Sequence, residues 1–282
     1  MQDMVITAMS GYGVNQVRCW MNSLERTGFT GRVVIIAFNI SDKTITELQS
    51  RNVEVVLASS RRNSQNDGYL YADGFGYQVP AARHYFYWAY LLTVKDVRYV
   101  ISTDVDVIFQ LDPSTWLSEN MGDKKLNYGC EALRYQDEEW GNDNMLHCYG
   151  PHIHAYIKNN PIYNAGSMAG ELSTFRDFSL NVHLAIQHVQ NPTPDQAGVN
   201  LLLSIEPYKS ITKFNDHDGT WACQAGTTAN PEKIGRFRPR LLSPEPRFDG
   251  THVYNSKGEK YVLVHQYNKV PEWQKRIEEI YG

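Results

Sequence analysis

Two aspartates that follow an apolar run are the first residues in this chain that could do chemistry. Asp104 and Asp106 come directly after the run 99–103. Side chains two apart on an extended strand point to the same side, so both carboxylates could bind one hard divalent cation. The spacing alone is weak, because Asp216 and Asp218 repeat it, and solvated carboxylates at the start of a loop are the alternative. The strand context favours metal binding, since open α/β sheets bind ligands at the carboxyl ends of their strands.

A histidine at the end of a late apolar run is the third candidate. His265 closes the run 261–265. A buried core histidine is the alternative to a metal ligand at this position. If this run lies beside the strand that leads to Asp104, an imidazole nitrogen could join the two carboxylates. Mixed oxygen and nitrogen ligands would favour Mn²⁺ over Ca²⁺.

Two short segments combine small residues with polar side chains. Asn164 and Gly166 lie in the segment 162–170, and Asp195 and Gln196 follow a Pro-Thr-Pro sequence at 192–194. Glycine lets the backbone approach a ligand closely. Asp195 also stands where a helix N-cap belongs. Taken alone, either segment would equally fit ordinary loop sequence.

The elements that must position these residues alternate between β-branched runs and stretches of helical period, which is the signature of an α/β fold. The pattern predicts strands over 5–9, 33–38, 53–57, 99–103, 127–133 and 261–265. It predicts helices over 14–28, from a capping box at 44–47, and over 81–94, 172–190, 196–203 and 272–281. Residues 59–79 are rich in Ser, Asn, Asp and Gly, which is typical of a binding loop. Residues 215–250 are expected to form ordered loop outside the core.

Composition narrows the class of protein. The chain has 282 residues with 27 Lys and Arg against 31 Asp and Glu, a net charge of −4. This balance argues against nucleic acid as a partner, because a sequence-independent grip on it needs clustered cations. No apolar run reaches the roughly 20 residues that span a bilayer, and no secretory signal precedes the first strand.

The cysteines and one basic cluster bear on where the protein works. The four cysteines are scattered without a C-x-x-C pair, so a reducing cytoplasm is the expected setting. A lumenal domain trimmed of an N-terminal anchor would look the same. Arg236, Arg238 and Arg240 could meet an anionic lipid or polysaccharide and so give peripheral membrane contact, with a solvated face as the alternative.

In this order, the parts resemble the GT-A glycosyltransferases, which use nucleotide-diphosphate sugars as donors. Within them the chain is similar to the retaining, metal-dependent branch that includes glycogenin and bacterial lipopolysaccharide galactosyltransferases. The match rests on residues 104–113, 164–170, 195–200 and 264–267. It implies one α/β domain over 1–282 with a mixed, mostly parallel sheet between helices. Residues 1–112 would bind the nucleotide sugar, and residues 113–282 the acceptor and the late metal-ligand strand.

The resemblance implies a metal site and cations around it. Asp104, Asp106 and His265 would hold Mn²⁺, with Mg²⁺ as the alternative, between the phosphates of a UDP-sugar. Asp104 would also contact the ribose. Arg83 and Lys269 would add positive charge near the donor.

The resemblance also implies contacts to the base and the sugar. Ala8, Tyr12 and Asn39 would line the base and ribose, with Tyr12 stacking on uracil. Asn164 and Gly166 would approach the sugar ring.

Three residues would carry the transfer itself. Asp195 would accept hydrogen bonds from the sugar hydroxyls, and Gln196 would lie near the anomeric carbon. This set fits transfer with retention of configuration. An inverting enzyme would instead need a carboxylate base, for which Glu131 is the candidate.

The acceptor would be a glycan, a glycolipid or a glycoprotein, and Trp140 and Trp221 are the candidates to contact it. Two other functions stay open. One is a sugar nucleotidyltransferase, which is disfavoured because no Gly-rich, basic phosphate loop follows the first strand. The other is a non-catalytic nucleotide- or carbohydrate-binding protein on the same scaffold.

Overall fold

The computed structural model of the chain describes residues 1–60, 68–70 and 76–282, so most of the predicted binding loop at 59–79 lies outside the described residues. The strands are β1 Gln2–Ser10, β2 Arg32–Phe38, β3 Val53–Leu57, β4 Tyr69–Leu70, β5 Gly76–Tyr77, β6 Val97–Thr103, β7 Val107–Phe109, β8 Leu126–Arg134, β9 Pro161–Glu171, β10 Thr212–Asn215, β11 Ala222–Gln224, β12 Arg247–Phe248, β13 Val253–Tyr254 and β14 Leu263–His265. The helices are α1 Val14–Arg26, α2 Asp42–Gln49, α3 Val79–Leu91, α4 Pro113–Asn120, α5 Glu139–Ile157, α6 Leu172–Ile186, α7 Asp195–Leu203, α8 Tyr208–Ile211, α9 Ala225–Thr228, α10 Ile234–Phe237 and α11 Pro271–Tyr281. No helix among these described residues is long and apolar enough to cross a membrane.

The main sheet takes strands from both halves of the chain. Within the described residues its order is β10-β8-β9-β6-β1-β2-β3. The pairs β1–β2, β1–β6, β2–β3 and β8–β10 are parallel, whereas β9 is antiparallel to both β6 and β8. The mixed, mostly parallel sheet predicted from the sequence is therefore confirmed.

The antiparallel pairing of β9 with β6 brings the middle of β9 to the carboxyl end of β6. Thr103, the last residue of β6, lies opposite Ser167 of β9, and Ser102 lies opposite Met168. The backbone N–H of Asp104 then donates to the carbonyl of Gly166 at 3.1 Å. This pairing sets the segment around Asn164 beside the two aspartates that follow β6.

A smaller sheet of order β11-β14-β7 delivers the histidine. Strand β14 runs antiparallel to β7 and parallel to β11, so His265 lies opposite Val107 on one side and Gln224 on the other. Because Val107 directly follows Asp106, this register places the imidazole beside the aspartates. For His265 to act as a ligand, the sequence required its strand to lie beside the strand that leads to Asp104. Instead it lies beside β7, which directly follows the two aspartates.

Both faces of the main sheet are covered. Alternating residues face opposite sides of a strand, and the odd and even positions of β1 and β2 are both buried. One face packs on α3, α6 and α7, and the other on α1 and α4. This burial on two faces explains the continuous apolar runs that marked these strands in the sequence.

The end of β6 is fixed by buried hydrogen bonds. The indole N–H of Trp20 on α1 donates to the hydroxyl of Thr103 at 2.8 Å. The hydroxyl of Thr7 on β1 donates to the Thr103 carbonyl at 2.7 Å. All three side chains are fully buried. Thr103 is therefore tied to two neighbouring elements immediately before the chain reaches Asp104.

Several local predictions were wrong. No element was predicted over residues 161–171, which form strand β9 because their small side chains pack between β6 and β8. The predicted loop at 215–250 includes strand β11 and helices α9 and α10, and its residues Trp221, Cys223 and Ala225 are fully buried. The cap of α2 is Ser41, whose hydroxyl accepts from the Thr44 backbone at 3.2 Å. Asp195 is the first helical residue of α7, and Pro194 is the cap.

We predict that Thr103→Val lowers the free energy of unfolding by about 1–3 kcal/mol, because the buried Trp20 N–H loses its acceptor while the packing volume is kept. Urea denaturation measures this. The control is Thr46→Val, at an exposed position of α2 where the hydroxyl donates to the Asp42 carbonyl at 3.0 Å. It should change stability by about 0.5 kcal/mol or less. Equal losses in the two variants would contradict the structural role of Thr103.

Candidate functional site

Three side chains converge at the carboxyl end of β6. The Nε2 atom of His265 lies 3.4 Å from a carboxylate oxygen of Asp104 and 3.3 Å from one of Asp106. One possible ligand atom from each residue falls within 4.8 Å of the others. His265 is buried, whereas the two aspartates are partly exposed. The three candidates that the sequence placed 161 residues apart are thus brought together.

The donor set fits a divalent cation. Two carboxylates and one imidazole nitrogen form a mixed oxygen and nitrogen set, which suits Mn²⁺ among the common metals. The Nε2 atom of His265 is buried and makes no hydrogen bond within the described structure. In the neutral imidazole this atom would point a lone pair at two carboxylates 3.3 and 3.4 Å away, which is costly in a buried setting, and a cation between the three side chains would satisfy all of them. Asp104, Asp106 and His265 are accordingly the residues that could hold the metal.

A buried arginine stands behind the aspartates. Arg83 on α3 is 2% exposed. Its guanidinium donates to Asp104, donates to the Ala165 carbonyl at 2.8 Å, and lies 3.8 Å from a carboxylate oxygen of Asp195. A buried cation needs such partners to offset the loss of hydration. Arg83 therefore links α3 to the Asp104 side of the cluster and to the start of α7.

These charges shift the acid–base properties of the cluster. Burial would raise the pKa of Asp104, but Arg83 and His265 hold the pKa of this carboxyl well below its usual range. Burial would lower the pKa of His265, but Asp106 and Asp104 raise the pKa to about 10. Without a metal, the imidazole is consequently a cation between two carboxylates.

A second polar network lies beside the cluster, around Asn164. The amide N–H of Asn164 donates to Glu131 at 2.6 Å and lies 3.5 Å from the Gln196 side-chain oxygen. The amide oxygen of Asn164 accepts from the Gly166 backbone at 2.6 Å. Burial is the main cause that raises the pKa values of Glu131 and Asp195. Glu131, Asn164, Asp195 and Gln196 are all buried, and together with Gly166 they line one cavity. The structure thus brings these predicted residues together.

Two adjoining cavities meet at the Asp104, Asp106 and His265 cluster. The first has a volume of about 490 Å³ and includes Ala8, Ser10, Tyr12 and both aspartates in its lining. The second has a volume of about 260 Å³ and includes Glu131, Asn164, Gly166, Asp195, Gln196 and His265. Pro80, Arg83 and Asp104 line both. The arrangement can hold an elongated ligand whose middle lies over the metal cluster.

Two residues that were predicted to contact the nucleotide sugar lie outside the linings of these two cavities. Asn39 follows β2, is exposed and has a positive φ of 50°. Lys269 is exposed on a turn after β14, and its neighbour Asn268 lines the first cavity instead. Among the described residues, neither Asn39 nor Lys269 lines either of the two cavities.

Other lining residues escaped the sequence reasoning. Tyr69 and Gln78 line the first cavity, and Glu138, Thr227 and Lys233 line the second. They come from short elements and loops whose sequence has no periodic pattern. The Asn164-x-Gly166 segment could be found because its polar residue stands among glycines and other small residues. The Asp195-Gln196 pair could be found because it follows the Pro-Thr-Pro sequence at 192–194.

The two tryptophans differ. Trp140 is 49% exposed at the rim of the second cavity. Trp221 is fully buried, packs on Trp116 and donates its indole N–H to the Ser167 carbonyl at 2.9 Å. The prediction that Trp221 contacts an acceptor was wrong, because the residue belongs to the core between the two sheets.

The basic cluster is largely neutralised by local partners. Arg236 pairs with Glu139 at 2.7 Å, and Arg238 pairs with Glu245. The excess positive charge that would attract an anionic surface is therefore smaller than the sequence indicated.

No protein-family model matches the chain, and no curated protein matches its sequence. Solved structures match its fold. The bifunctional glycosyltransferase WbbM gives a TM-score of 0.61 at 12% identity, over 98% of this chain and 49% of that chain. This chain thus spans about half the length of WbbM.

Two further structures match over most of both chains. The galactosyltransferase LgtC, solved in complex with donor and acceptor sugar analogues, gives a TM-score of 0.55 at 13% identity over 93% of this chain and 86% of LgtC. Mouse xyloside xylosyltransferase 1 gives 0.57 at 12% identity, over 94% and 97%. At such identities the likeness establishes the fold, and the predicted GT-A fold is confirmed.

Gly166 provides a matched test of the cluster geometry. A Cβ at this position would lie 2.5 Å from a carboxylate oxygen of Asp104 and 2.9 Å from the Asn164 amide oxygen. We predict that Gly166→Ala weakens Mn²⁺ binding by about tenfold or more, since Arg83 limits how far the carboxylate can move. Titration calorimetry with Mn²⁺ measures this. Gly235→Ala is the control, because a Cβ there meets nothing within 4 Å. Unchanged Mn²⁺ binding in Gly166→Ala would contradict the site.

The raised pKa of His265 predicts proton release on metal binding. A metal binds only a deprotonated nitrogen, so Mn²⁺ must displace the proton at any pH below about 10. Mn²⁺ affinity should rise with pH by up to tenfold per unit between about pH 6 and pH 8. Calorimetry in two buffers of different ionisation enthalpy should count about one proton released. An affinity independent of pH would contradict ligation by His265.

Proposed function

We propose that this chain is a metal-dependent glycosyltransferase that moves a hexose from a UDP-sugar to a glycan, glycolipid or glycoprotein acceptor with retention of anomeric configuration. The observation that carries the proposal is the Asp104, Asp106 and His265 cluster at the junction of two cavities. The fold shared with glycosyltransferases supports it, since LgtC has been solved with donor and acceptor sugar analogues. Ligands of open α/β sheets also bind at this edge of the sheet.

The first cavity is the proposed nucleotide site. It opens at the carboxyl end of β1, where the backbone of Ala8 and Ser10 forms one wall. Tyr12 is 42% exposed at the rim, so its ring face is available to stack on uracil. Tyr69, whose hydroxyl hydrogen-bonds to Ser10, also lines this cavity.

The diphosphate would lie between the cavities, over the metal cluster. A divalent cation bound by Asp104, Asp106 and His265 would supply a Lewis acid for the charge of the departing nucleoside diphosphate. Arg83 adds a fixed positive charge at the same point, and its burial keeps it in place without reorganisation. Asp104 lines both cavities and would therefore lie between the nucleotide and the sugar.

The second cavity is the proposed sugar site. Asp195 and Asn164 present a carboxylate and an amide to it, which are the groups that orient sugar hydroxyls. Gly166 also lines this cavity, and a side chain at this position would collide with Asp104. Gln196 lies within 3.5 Å of Asn164, and its amide dipole could stabilise positive charge at the anomeric carbon.

The surroundings of Glu131 favour retention. An inverting enzyme needs a free carboxylate opposite the leaving group, whereas Glu131 is engaged by the Asn164 amide at 2.6 Å. In the retaining step, the bond from the anomeric carbon to the diphosphate breaks. The acceptor oxygen bonds to the same face, and its proton passes to the departing phosphate oxygen. Glu131 then positions Asn164 and remains the alternative base.

The acceptor would enter from the outer side of the second cavity. The exposed residues Trp140 and Lys233 line this cavity, and the half-exposed Trp140 ring offers a flat apolar surface of the kind that packs against sugars. The acceptor hydroxyl would then reach the sugar site past Thr227.

The first test is calorimetric titration with UDP, GDP, CDP and TDP, each with Mn²⁺ and then with EDTA. We expect UDP to bind, and chelation to abolish the binding. Transfer from UDP-hexoses, followed by NMR of the product, then reports the anomeric outcome. Metal-independent binding, or no nucleotide binding, would replace the enzyme proposal with a binding or structural role.

We predict that Asp106→Asn abolishes Mn²⁺-dependent UDP binding and lowers transfer by more than the roughly 10–100-fold that outer-shell partners of a metal contribute. A neutral amide is a poor ligand for a hard cation, yet Asp106 is partly exposed, so thermal stability should stay within a few degrees of wild type. Asp123→Asn, at an exposed turn position, is the matched control. Wild-type turnover in Asp106→Asn would refute metal ligation by this residue.

A further inference from the structure

A buried glutamine contacts the rear of the metal-facing histidine. The side-chain oxygen of Gln224 lies 2.7 Å from Nδ1 of His265, on the ring edge away from the aspartates. Gln224 is 3% exposed and His265 is 1% exposed. The two residues are paired in register between β11 and β14. The contact is therefore a buried hydrogen bond between adjacent strands.

In the structure the Gln224 amide has its nitrogen toward Ser167 and its oxygen toward His265. Its side-chain N–H donates to the Ser167 hydroxyl at 3.0 Å, and its backbone N–H donates to Nε2 of His217 at 3.1 Å. Ser167 is fully buried, and its carbonyl accepts from the Trp221 indole. With the amide nitrogen directed at Ser167, the amide oxygen faces His265.

This orientation determines what each nitrogen of His265 can do. An amide oxygen only accepts hydrogen bonds, so Nδ1 must carry a proton and donate it. The other nitrogen, Nε2, is then the one that faces Asp104 and Asp106 and can give its lone pair to a metal. The reversed amide would place an N–H against Nδ1, so that Nδ1 would accept and Nε2 would hold a proton toward the cluster.

We infer that Gln224 is a positioning residue that selects the metal-binding tautomer of His265. Metal-ligating histidines commonly donate their second ring N–H to a fixed acceptor, which orients the ring and increases its basicity. Here the acceptor is a neutral amide supplied by the small sheet. The inference rests on the proposed metal site.

The same hydrogen-bond network joins the main sheet, which leads to Asp104, to the small sheet, which carries His265. Ser167, which hydrogen-bonds to the Gln224 amide, lies opposite Thr103 in the β6–β9 pair, and Thr103 directly precedes Asp104. Gly166, next to Ser167, accepts from the Asp104 backbone N–H at 3.1 Å. One residue pair of the main sheet thus controls the position of Asp104 and, through Gln224, the orientation of His265.

The test compares two substitutions of one side chain. Gln224→Met keeps the length of the side chain but removes the acceptor. Gln224→Glu keeps an acceptor for Nδ1 and lets the Ser167 hydroxyl donate to the second oxygen. Mn²⁺ affinity, measured by EPR of free Mn²⁺, should fall about 10–100-fold in Gln224→Met and stay within about threefold of wild type in Gln224→Glu.

Gln110→Met is the matched control for packing. Gln110 also joins strands through its amide, donating to the carbonyls of Val253 and Tyr261 at 3.0 Å and accepting from the Val253 N–H at 2.7 Å. It has no contact with His265 among the described interactions. Its substitution should lower thermal stability and leave Mn²⁺ affinity unchanged.

The outcomes separate this inference from the proposed function. Failure of the wild-type protein to bind Mn²⁺ would overturn the metal site and the inference with it. If the wild type binds, an unchanged affinity in Gln224→Met overturns the role of Gln224 alone. So does an equal loss in the Glu variant, since that would indicate packing rather than an acceptor.

One measurement needs no variant and covers the case in which Gln224→Met does not fold. Long-range ¹H–¹⁵N NMR of the wild-type protein loaded with diamagnetic Zn²⁺ should find the His265 proton on Nδ1. A proton on Nε2 would overturn the inference.

Discussion

The site depends on how a buried positive charge is compensated. Arg83 is removed from water and holds its charge by donating to Asp104 and to the Ala165 carbonyl, with Asp195 close by. These partners lie on three different elements, namely the end of β6, strand β9 and the start of α7. An unpaired buried charge costs several kcal/mol. Separating any of these elements from Arg83 would incur part of that cost, so the charge holds them together. The acidic cluster can therefore form at the sheet edge without expelling its members into solvent.

The backbone around the cluster accepts unfavourable conformations. Ala132, next to Glu131, has a φ of 62°, and Gln266, next to His265, has a φ of 55°. Residues other than glycine rarely adopt this left-handed region, and such strain gathers at functional sites. The pairing of β8 with β9 shifts register across Cys130, next to Glu131, and a β-bulge of this kind re-aims a side chain. The Gln266 N–H donates to the Asp106 carbonyl at 3.0 Å, which ties the chain after His265 to the aspartates.

The sequence predicted most of the regular elements because their signals are local. Strands β1, β2 and β6 could be predicted from their apolar runs, and helices α1 and α11 from the helical spacing of their apolar residues. Each of these signals lies within the segment itself. Strand β9 was missed because its small residues have no hydrophobic alternation, and only the flanking strands make it extended. Trp221 was misjudged because an aromatic residue in a Gly-rich stretch is equally compatible with a surface or a core position. Helix α5 was missed since its apolar face is weak and Gly150 interrupts it.

The sequence by itself determined the class of fold and the identities of Asp104, Asp106 and His265 as a possible ligand set, because residue type, strand context and order are written along the chain. It also determined that Asn164, Asp195 and Gln196 belong with them, through resemblance. Only the tertiary structure decided that His265 reaches the aspartates by pairing with β7, that Glu131 is engaged by Asn164, and that Gln224 contacts the rear of the imidazole. Such facts depend on strand register and on hydrogen bonds between residues far apart in sequence. A shift of one residue in either strand would turn these side chains to the opposite face, and no local pattern encodes that choice.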